Sequence, residues 1–105
     1  MLIEVKDRND LEAMLEGKER QVLLLSTETC PACRMSRAAA LEYAKENTLY
    51  AVDLNVSPAL ARLLSVRSVP TLLAFEGRRE VARHTGRFTR QTLTELSTRV
   101  PSGTP

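Results

Sequence analysis

Three short apolar runs, separated by segments of helical periodicity, constrain the fold of this chain more than any other feature. The runs are QVLLLS at 21–26, LYAVDLN at 49–55 and TLLAF at 71–75. An apolar run of this length is typical of a strand that is buried on both faces by covering helices. The pattern therefore predicts an α/β fold in which the chain alternates between strands and helices.

The first two helices are predicted from caps and spacing. Asn9 is expected to cap a helix, with Glu12 completing a capping box and Gly17 ending the helix. Residues 31–46 are expected to form a second, longer helix. The apolar positions expected to pack in these two helices are Leu11, Met14, Leu15, Met35, Ala38, Ala39 and Leu41.

The rest of the chain completes the order β-α-β-α-β-α-β-β-α. Ser57 followed by Pro58 is expected to cap and open a short third helix, and Thr89 to cap the last one. Residues 2–5 and the alternating residues 80–85 are expected to form additional strands. Strand–helix–strand units imply parallel pairing, and the late hairpin adds antiparallel pairing, so we expect an α/β sandwich with a mixed sheet. The apolar positions expected to pack in the last two helices are Leu60, Leu63, Leu64, Leu93, Leu96 and Val100.

Length and terminal composition predict one domain. The chain has 105 residues, and we expect a single domain over 1–100 with a flexible tail, PSGTP, at 101–105. The N-terminal stretch MLIEVKDRND lacks the apolar run of a signal peptide, so a cytoplasmic location is expected. No apolar segment approaches the roughly 20 residues that span a bilayer, and no membrane association is expected.

The charge balance and the aromatic residues together give no indication of a nucleic-acid partner. The net charge is +2, from 15 basic and 13 acidic residues. A local group of arginines at 78–90 is interpreted as a solvated surface, and the four aromatic residues form no stacking motif of the RNA-binding kind. We therefore expect no binding of nucleic acid.

The only two cysteines lie in the stretch ETCPACR, where the first buried strand passes into the long helix. Unpaired backbone N–H groups and the helix dipole stabilise a thiolate at such a position. Cys30 is expected to be the exposed, attacking sulfur, and Cys33 the more buried sulfur that resolves a mixed disulfide. Pro31 lacks an N–H group but Ala32 keeps one, so the N–H groups of Ala32 and Cys33 are both available to Cys30.

The spacing of the two cysteines also suits two other uses, half of a zinc site and a small structural disulfide. A zinc site needs two more ligands, and the single histidine, His84, is predicted to lie in an edge strand. A structural disulfide across so small a loop would constrain the unfolded chain little. A redox dithiol is favoured over both, and no metal is expected. The chain has no Gly-rich nucleotide-binding motif, so electrons are expected to come from a partner, and no bound cofactor is expected.

At this point the sequence resembles the thioredoxin family. The residues that carry the resemblance are QVLLLS leading into TETCPACR, the segment VDLNVSPALARLLSVRSVPTLLAF, the turn EGRREV and Gly86. The resemblance implies a thioredoxin-like three-layer α/β/α sandwich and a cis peptide between Val69 and Pro70. It also implies that the turn at Val69 faces the attacking cysteine and offers backbone groups to an extended substrate. The substrate-binding residues implied are Thr29, Pro31, Ser68, Val69 and Pro70.

The sequence departs from the family at two positions beside the cysteines. The family carries a buried aspartate six residues before the first cysteine, where this chain has Leu24, and a tryptophan where it has Thr29. An apolar side chain cannot accept the proton of Cys33, so Cys33 is expected to be a slow resolver unless Glu28 or Asp53 substitutes.

Two arginines are expected to add positive potential beside the pair. Arg34 and Arg67 are predicted to flank the site, where a positive charge favours a thiolate over a thiol. Plain surface charge is the competing interpretation of both residues.

The resemblance implies a thiol–disulfide oxidoreductase. Its expected partners are disulfide-containing protein substrates and an upstream reductase, either thioredoxin reductase or glutathione, and it is expected to act as a monomer. Three alternatives stay open: a glutathione-dependent, glutaredoxin-like reductase, a thioredoxin-fold binding module with a slow redox switch, and a metallochaperone.

Overall fold

The computed structural model describes residues 1–98, so the predictions for Val100 and for the tail at 101–105 lie outside the described residues. The element order matches the predicted one. The elements are β1 (Leu2–Glu4), α1 (Arg8–Leu15), β2 (Arg20–Ser26), α2 (Pro31–Glu46), β3 (Leu49–Asp53), α3 (Ala59–Leu63), β4 (Thr71–Glu76), β5 (Arg79–Thr85) and α4 (Arg90–Ser97).

The five strands form one mixed sheet in the order β1-β3-β2-β4-β5. Strands β1, β3 and β2 run parallel, and β4 lies antiparallel to both β2 and β5. Strand β2 is therefore central, with Leu24 opposite Ala51 of β3 and Leu72 of β4. No helix within residues 1–98 is long and apolar enough to cross a membrane.

Two cores cover the two faces of the sheet. Successive residues of β2 alternate between them, since Leu23 and Leu25 belong to one core while Val22 and Leu24 belong to the other. The first core takes its helical residues from α1 and α3, and the second from α2 and α4. This is the predicted three-layer α/β/α sandwich, and it places α2 and Leu24 on the same side of the sheet.

The cap of α1 differs from the predicted one. Asp7, not Asn9, is the N-cap, and its carboxylate accepts a hydrogen bond from the backbone N–H of Asp10 at 2.8 Å. Glu12 forms an ion pair with Arg78 at 2.6 Å instead of closing a capping box. The prediction failed because Asp and Asn are both strong N-cap residues, so the sequence offers both Asp7 and Asn9 for one position.

The helix end near Gly17 is confirmed, since α1 ends at Leu15 and Glu16 is its C-cap. Gln21 donates a hydrogen bond from its side-chain amide to the carbonyl of Met14 at 2.6 Å. A Cβ on Gly17 would lie 2.7 Å from that amide nitrogen. A larger residue at this position would therefore require the flexible side chain of Gln21 to shift away from it.

The cap predictions for the last two helices have opposite outcomes. The hydroxyl of Ser57 donates to the carbonyl of Lys6, and Pro58 occupies the N-cap of α3 without a side-chain cap, so that prediction was wrong. Thr89 caps α4 as predicted, through a capping box with Thr92.

The packing face of α2 is turned relative to the predicted one. Met35 and Leu41 are exposed, while Ser36, Ala40 and Tyr43 are buried. The hydroxyl of Ser36 accepts a hydrogen bond from the backbone N–H of Phe88 at 3.1 Å. This buried contact ties the helix that carries the cysteines to the segment that enters α4.

Replacing Ser36 by alanine is expected to lower the free energy of unfolding of the reduced protein by about 1–3 kcal/mol. The reason is that the buried N–H of Phe88 would lose its partner. Urea unfolding measures the change. The matched control is Ser97→Ala at the end of α4, where only a local bond to the carbonyl of Thr94 is lost and the change should stay within about 0.5 kcal/mol. Equal losses in the two variants would contradict the expectation.

Candidate active site

The two cysteines lie at the start of α2, directly after central strand β2. Cys30 is the N-cap of the helix, with φ −81° and ψ 120°, and Pro31 is its first residue. The backbone N–H of Cys33 donates to the sulfur of Cys30 at 3.3 Å. The sulfur of Cys30 thus takes the capping position that a hydroxyl or carboxylate oxygen takes in other helices.

The environment of Cys30 favours its thiolate. The side chain is half-buried. Hydrogen bonds from the side chain and the backbone N–H of Cys33, with a weaker one from the backbone of Ala32, lower the pKa of Cys30. The Cys33 N–H donates to this sulfur as predicted, while the N–H of Ala32 makes the smaller contribution to the lowered pKa. A hydrogen-bond donor stabilises a thiolate, the charged form of a cysteine, over the thiol.

The environment of Cys33 has the opposite effect. This residue is 8% exposed. The pKa of Cys33 is raised to about 11. Burial is the largest cause, and the neighbouring Cys30 contributes to the rise. Hydrogen bonds from the backbone and the side chain of Thr27 oppose that shift. At neutral pH the structure therefore pairs one activated sulfur with one that holds its proton.

The turn before β4 faces the cysteines. The peptide bond between Val69 and Pro70 is cis, as the resemblance implied. The sulfur of Cys30 lies 3.6 Å from the carbonyl oxygen of Val69. The hydroxyl of Thr71 donates to the carbonyl of Ser68 at 2.7 Å, which closes the turn on its other side.

A cavity of about 480 Å³ opens beside Cys33. Its apolar wall includes Leu24, Ala51 and Pro70. Glu28 and Asp53, the two carboxylates considered as substitute proton acceptors, also line the cavity, together with Arg37. Leu24 thus lies in the same cavity as Cys33, on the side of the sheet that α2 covers.

The other predicted site residues surround this centre at the surface. Thr29 and Pro31 are exposed next to Cys30, and Ser68 is exposed in the proline turn. Arg34 and Arg67 are exposed as well, and their effect on the thiolate stays a prediction. His84 lies in β5, with a ring nitrogen 2.9 Å from the carbonyl oxygen of Arg87.

Sequence reasoning missed Thr27. This residue follows the last residue of β2, lines the cavity beside Cys33 and opposes the rise in the pKa of Cys33. The available signal was a polar Ser-Thr pair at the end of an otherwise apolar strand, just before the cysteines.

Fold and site together define a class of protein. A dithiol at the carboxyl end of a central strand, at the N-terminus of a helix and opposite a proline turn, is an arrangement for thiol–disulfide exchange. The mechanism uses a thiolate that is stabilised at the helix N-terminus and a second thiol within reach of it.

Comparisons with known proteins place the chain within that class. The family model described as Thioredoxin matches residues 2–99. The thioredoxin of Buchnera aphidicola subsp. Schizaphis graminum (strain Sg) is 30% identical over 99 residues, covering 90% of this chain and 92% of that protein. The fold is similar to the X-ray structure of Fasciola hepatica thioredoxin, with a TM-score of 0.82 and 24% identity, covering 92% and 97% of the two chains. It is also similar to a thioredoxin variant of Halobacterium salinarum NRC-1, with a TM-score of 0.82, 21% identity and coverage of 91% and 87%.

The chain belongs to the thioredoxin family. It is a thiol–disulfide oxidoreductase that acts on protein disulfides, with a reductase as its redox partner. The redox function and the fold predicted from the sequence are confirmed.

Proposed function

We propose that Cys30 attacks the substrate disulfide and that Cys33 resolves the product. The Cys30 thiolate attacks one sulfur of the substrate, forms a mixed disulfide and expels the other substrate sulfur as a thiolate. Cys33 then loses its proton to solvent, and its thiolate attacks Cys30. The substrate sulfur that was bonded to Cys30 leaves as a thiolate and takes up a proton. The substrate disulfide gains two electrons, and the protein dithiol becomes the Cys30–Cys33 disulfide.

One observation carries this assignment: the sulfur of Cys30 caps α2 and is half-exposed, while Cys33 is buried one turn further along the helix. The thiolate is the attacking species in disulfide exchange, and access decides which sulfur meets the substrate. Both criteria favour Cys30 as the nucleophile.

The substrate segment is proposed to bind along the proline turn beside Cys30. The carbonyl of Val69 lies 3.6 Å from the attacking sulfur, close enough for backbone hydrogen bonds to hold an extended peptide there. Exposed side chains flank this position on both sides of the sulfur. The proposed substrate-binding residues are Thr29, Pro31, Ser68, Val69 and Pro70.

The remaining proposals concern the setting of the reaction. The donor is proposed to be thioredoxin reductase rather than glutathione, because the fold is that of thioredoxins. The protein is proposed to work as a cytoplasmic monomer with a single domain. In a reducing compartment the pair is regenerated as a dithiol between turnovers.

Two single-cysteine variants test the assignment. A symmetric nitroaromatic disulfide releases one coloured thiolate when Cys30 attacks and a second when Cys33 resolves the adduct. The wild-type protein is expected to show two kinetic phases in stopped flow. Cys33→Ser should show only the first phase and retain a stable adduct on Cys30, which peptide mass mapping locates.

Cys30→Ser is the matched control, and it should show no fast phase because Cys33 is buried and protonated. A fast phase in Cys30→Ser, or an adduct on Cys33 in the wild-type protein, would reverse the two roles. Turnover with glutathione alone, equal to that with thioredoxin reductase, would reject the proposed donor.

A further inference from the structure

The segment that leads from α3 into the proline turn begins with a left-handed serine. Helix α3 ends at Leu63, and Ser65, two residues later, has φ +56°. The backbone N–H of Ser65 donates to the carbonyl of Arg62 at 3.2 Å, and that of Val66 donates to the carbonyl of Ala61 at 2.8 Å. These two bonds form a Schellman motif, in which glycine usually occupies the left-handed position. A serine there is strained, so other contacts must hold it.

Arg83 of β5 supplies such contacts. Its guanidinium donates from Nη2 to the carbonyl of Leu64 and from Nη1 to the carbonyl of Ser65, both at 2.9 Å. These carbonyls belong to the two peptide groups that flank the Cα of Ser65. Because φ and ψ of a residue describe how its two flanking peptide groups are oriented, one planar side chain fixes the left-handed conformation directly.

Glu80 holds this guanidinium in place. Its Oε2 accepts from Nε of Arg83 at 2.7 Å, and its Oε1 accepts from Nη2 at 2.8 Å. Residues three apart lie on opposite faces of a regular strand. A bulge in β5 corrects this, because Arg83 pairs with Leu73 and Glu80 pairs with Phe75, two residues of the first core. The resulting bidentate pair has the geometry in which an ion pair at the surface holds its orientation.

The conformation of Ser65 affects the carbonyl that faces the attacking sulfur. The carbonyl of Val69 is four residues further along the chain and lies 3.6 Å from the sulfur of Cys30. Between them, Val66 is buried in the first core, while residues 67 and 68 are exposed. The backbone angles of Ser65 therefore set the direction in which the chain approaches the turn.

We propose that Arg83 is a positioning residue for substrate binding, which fixes Ser65 and thereby holds the Val69 carbonyl where an extended substrate meets Cys30. This inference rests on the proposed binding of the substrate along the proline turn. Arg83 takes no part in the disulfide exchange itself. Its effect is therefore confined to substrates that have a peptide backbone to bind.

Two substrates with one coloured product separate positioning from chemistry. The first is a short peptide whose cysteine is joined by a disulfide to a nitroaromatic thiol, and the second is the symmetric nitroaromatic disulfide. Attack by Cys30 releases the same thiolate from both. Arg83→Met is expected to lower the second-order rate constant for the peptide by about three- to tenfold, the worth of one hydrogen bond. The rate constant for the symmetric disulfide, and its pH profile, should stay at the wild-type values.

Three further variants complete the test. Arg78→Met is the matched control, since Arg78 lies in the turn of the same hairpin and pairs with Glu12, so both rate constants should be unchanged. Ser65→Gly in the Arg83→Met background should restore the rate constant for the peptide, because glycine adopts the left-handed conformation without strain. Glu80→Gln weakens the bidentate pair and should give the same selective loss at smaller size, which keeps the test open if Arg83→Met folds poorly.

A wild-type rate constant for the peptide in Arg83→Met would overturn the proposal. Equal slowing with both substrates, or no recovery with Ser65→Gly, would also overturn it. Failure of the proposed substrate binding has a different signature. A peptide methylated on the backbone nitrogens beside its cysteine cannot donate to the Val69 carbonyl, and it would then react with the wild-type protein as fast as the unmethylated peptide.

Discussion

Leu24→Asp is expected to speed the resolving step at pH 7 by about 10²-fold, the lower end of what a general base contributes. Leu24 lies in the cavity beside Cys33 and is 8% exposed, so a carboxylate at this position would be close to the thiol and partly desolvated. Desolvation raises the pKa of a carboxyl group toward neutrality, where it is a better proton acceptor. The second phase of the two-phase disulfide assay measures the gain.

Leu24→Asn is the matched control for this change. It has the shape and polarity of aspartate but accepts no proton at neutral pH. Both variants bury a polar group among Val22, Ala40 and Leu72 and should lower stability by similar amounts. Equal acceleration in the two variants would show that polarity, rather than proton transfer, limits the resolving step.

Raising the pH from 7 to 9 is expected to speed the resolving step of the wild-type protein by about 10²-fold, because only the thiolate attacks. The pKa of Cys33 is raised to about 11. At a pH well below that value, the thiolate fraction rises about tenfold for each pH unit. Burial is the largest cause of the shift, and it remains when Cys30 is bonded to the substrate, so the steep dependence should persist in the mixed disulfide.

The first phase provides an internal comparison in the same experiment. The pKa of Cys30 is lowered, so attack by Cys30 should level off at a lower pH than resolution does. Leu24→Asp should also flatten the dependence of the second phase, since the new carboxylate takes the proton. A second phase that is independent of pH between 7 and 9 would contradict the raised pKa of Cys33.

Most of the fold was predictable because each apolar run is bounded by turn or cap residues. The order of nine elements follows from that pattern. The errors are local. Asn9 competes with Asp7 for one cap, and the buried face of α2 depends on the angle at which the helix lies across the sheet. The apolar periodicity of a segment determines neither which residue caps a helix nor the angle at which the helix lies across the sheet.

The site was predictable to the extent that it is contiguous in sequence. The capping position of Cys30, and the donors from Ala32 and Cys33, follow from a helix that starts at Pro31. Thr27 was not predictable in the same way. It lines the same cavity as Cys33 because the end of β2 and the first turn of α2 lie beside each other, which only the three-dimensional structure shows.

The apolar wall at Leu24 has a consequence for the fate of the substrate. A resolving thiol that holds its proton prolongs the life of the mixed disulfide, which gives a second thiol in the bound protein time to compete with Cys33. Cys33 attacks the sulfur of Cys30, whereas the second substrate thiol attacks the substrate sulfur that is bonded to Cys30. When that second thiol attacks first, a new disulfide forms within the substrate and Cys30 is released as a thiolate. The net result is rearrangement of a disulfide without consumption of electrons. Leu24 is therefore expected to shift the partition from reduction toward isomerisation.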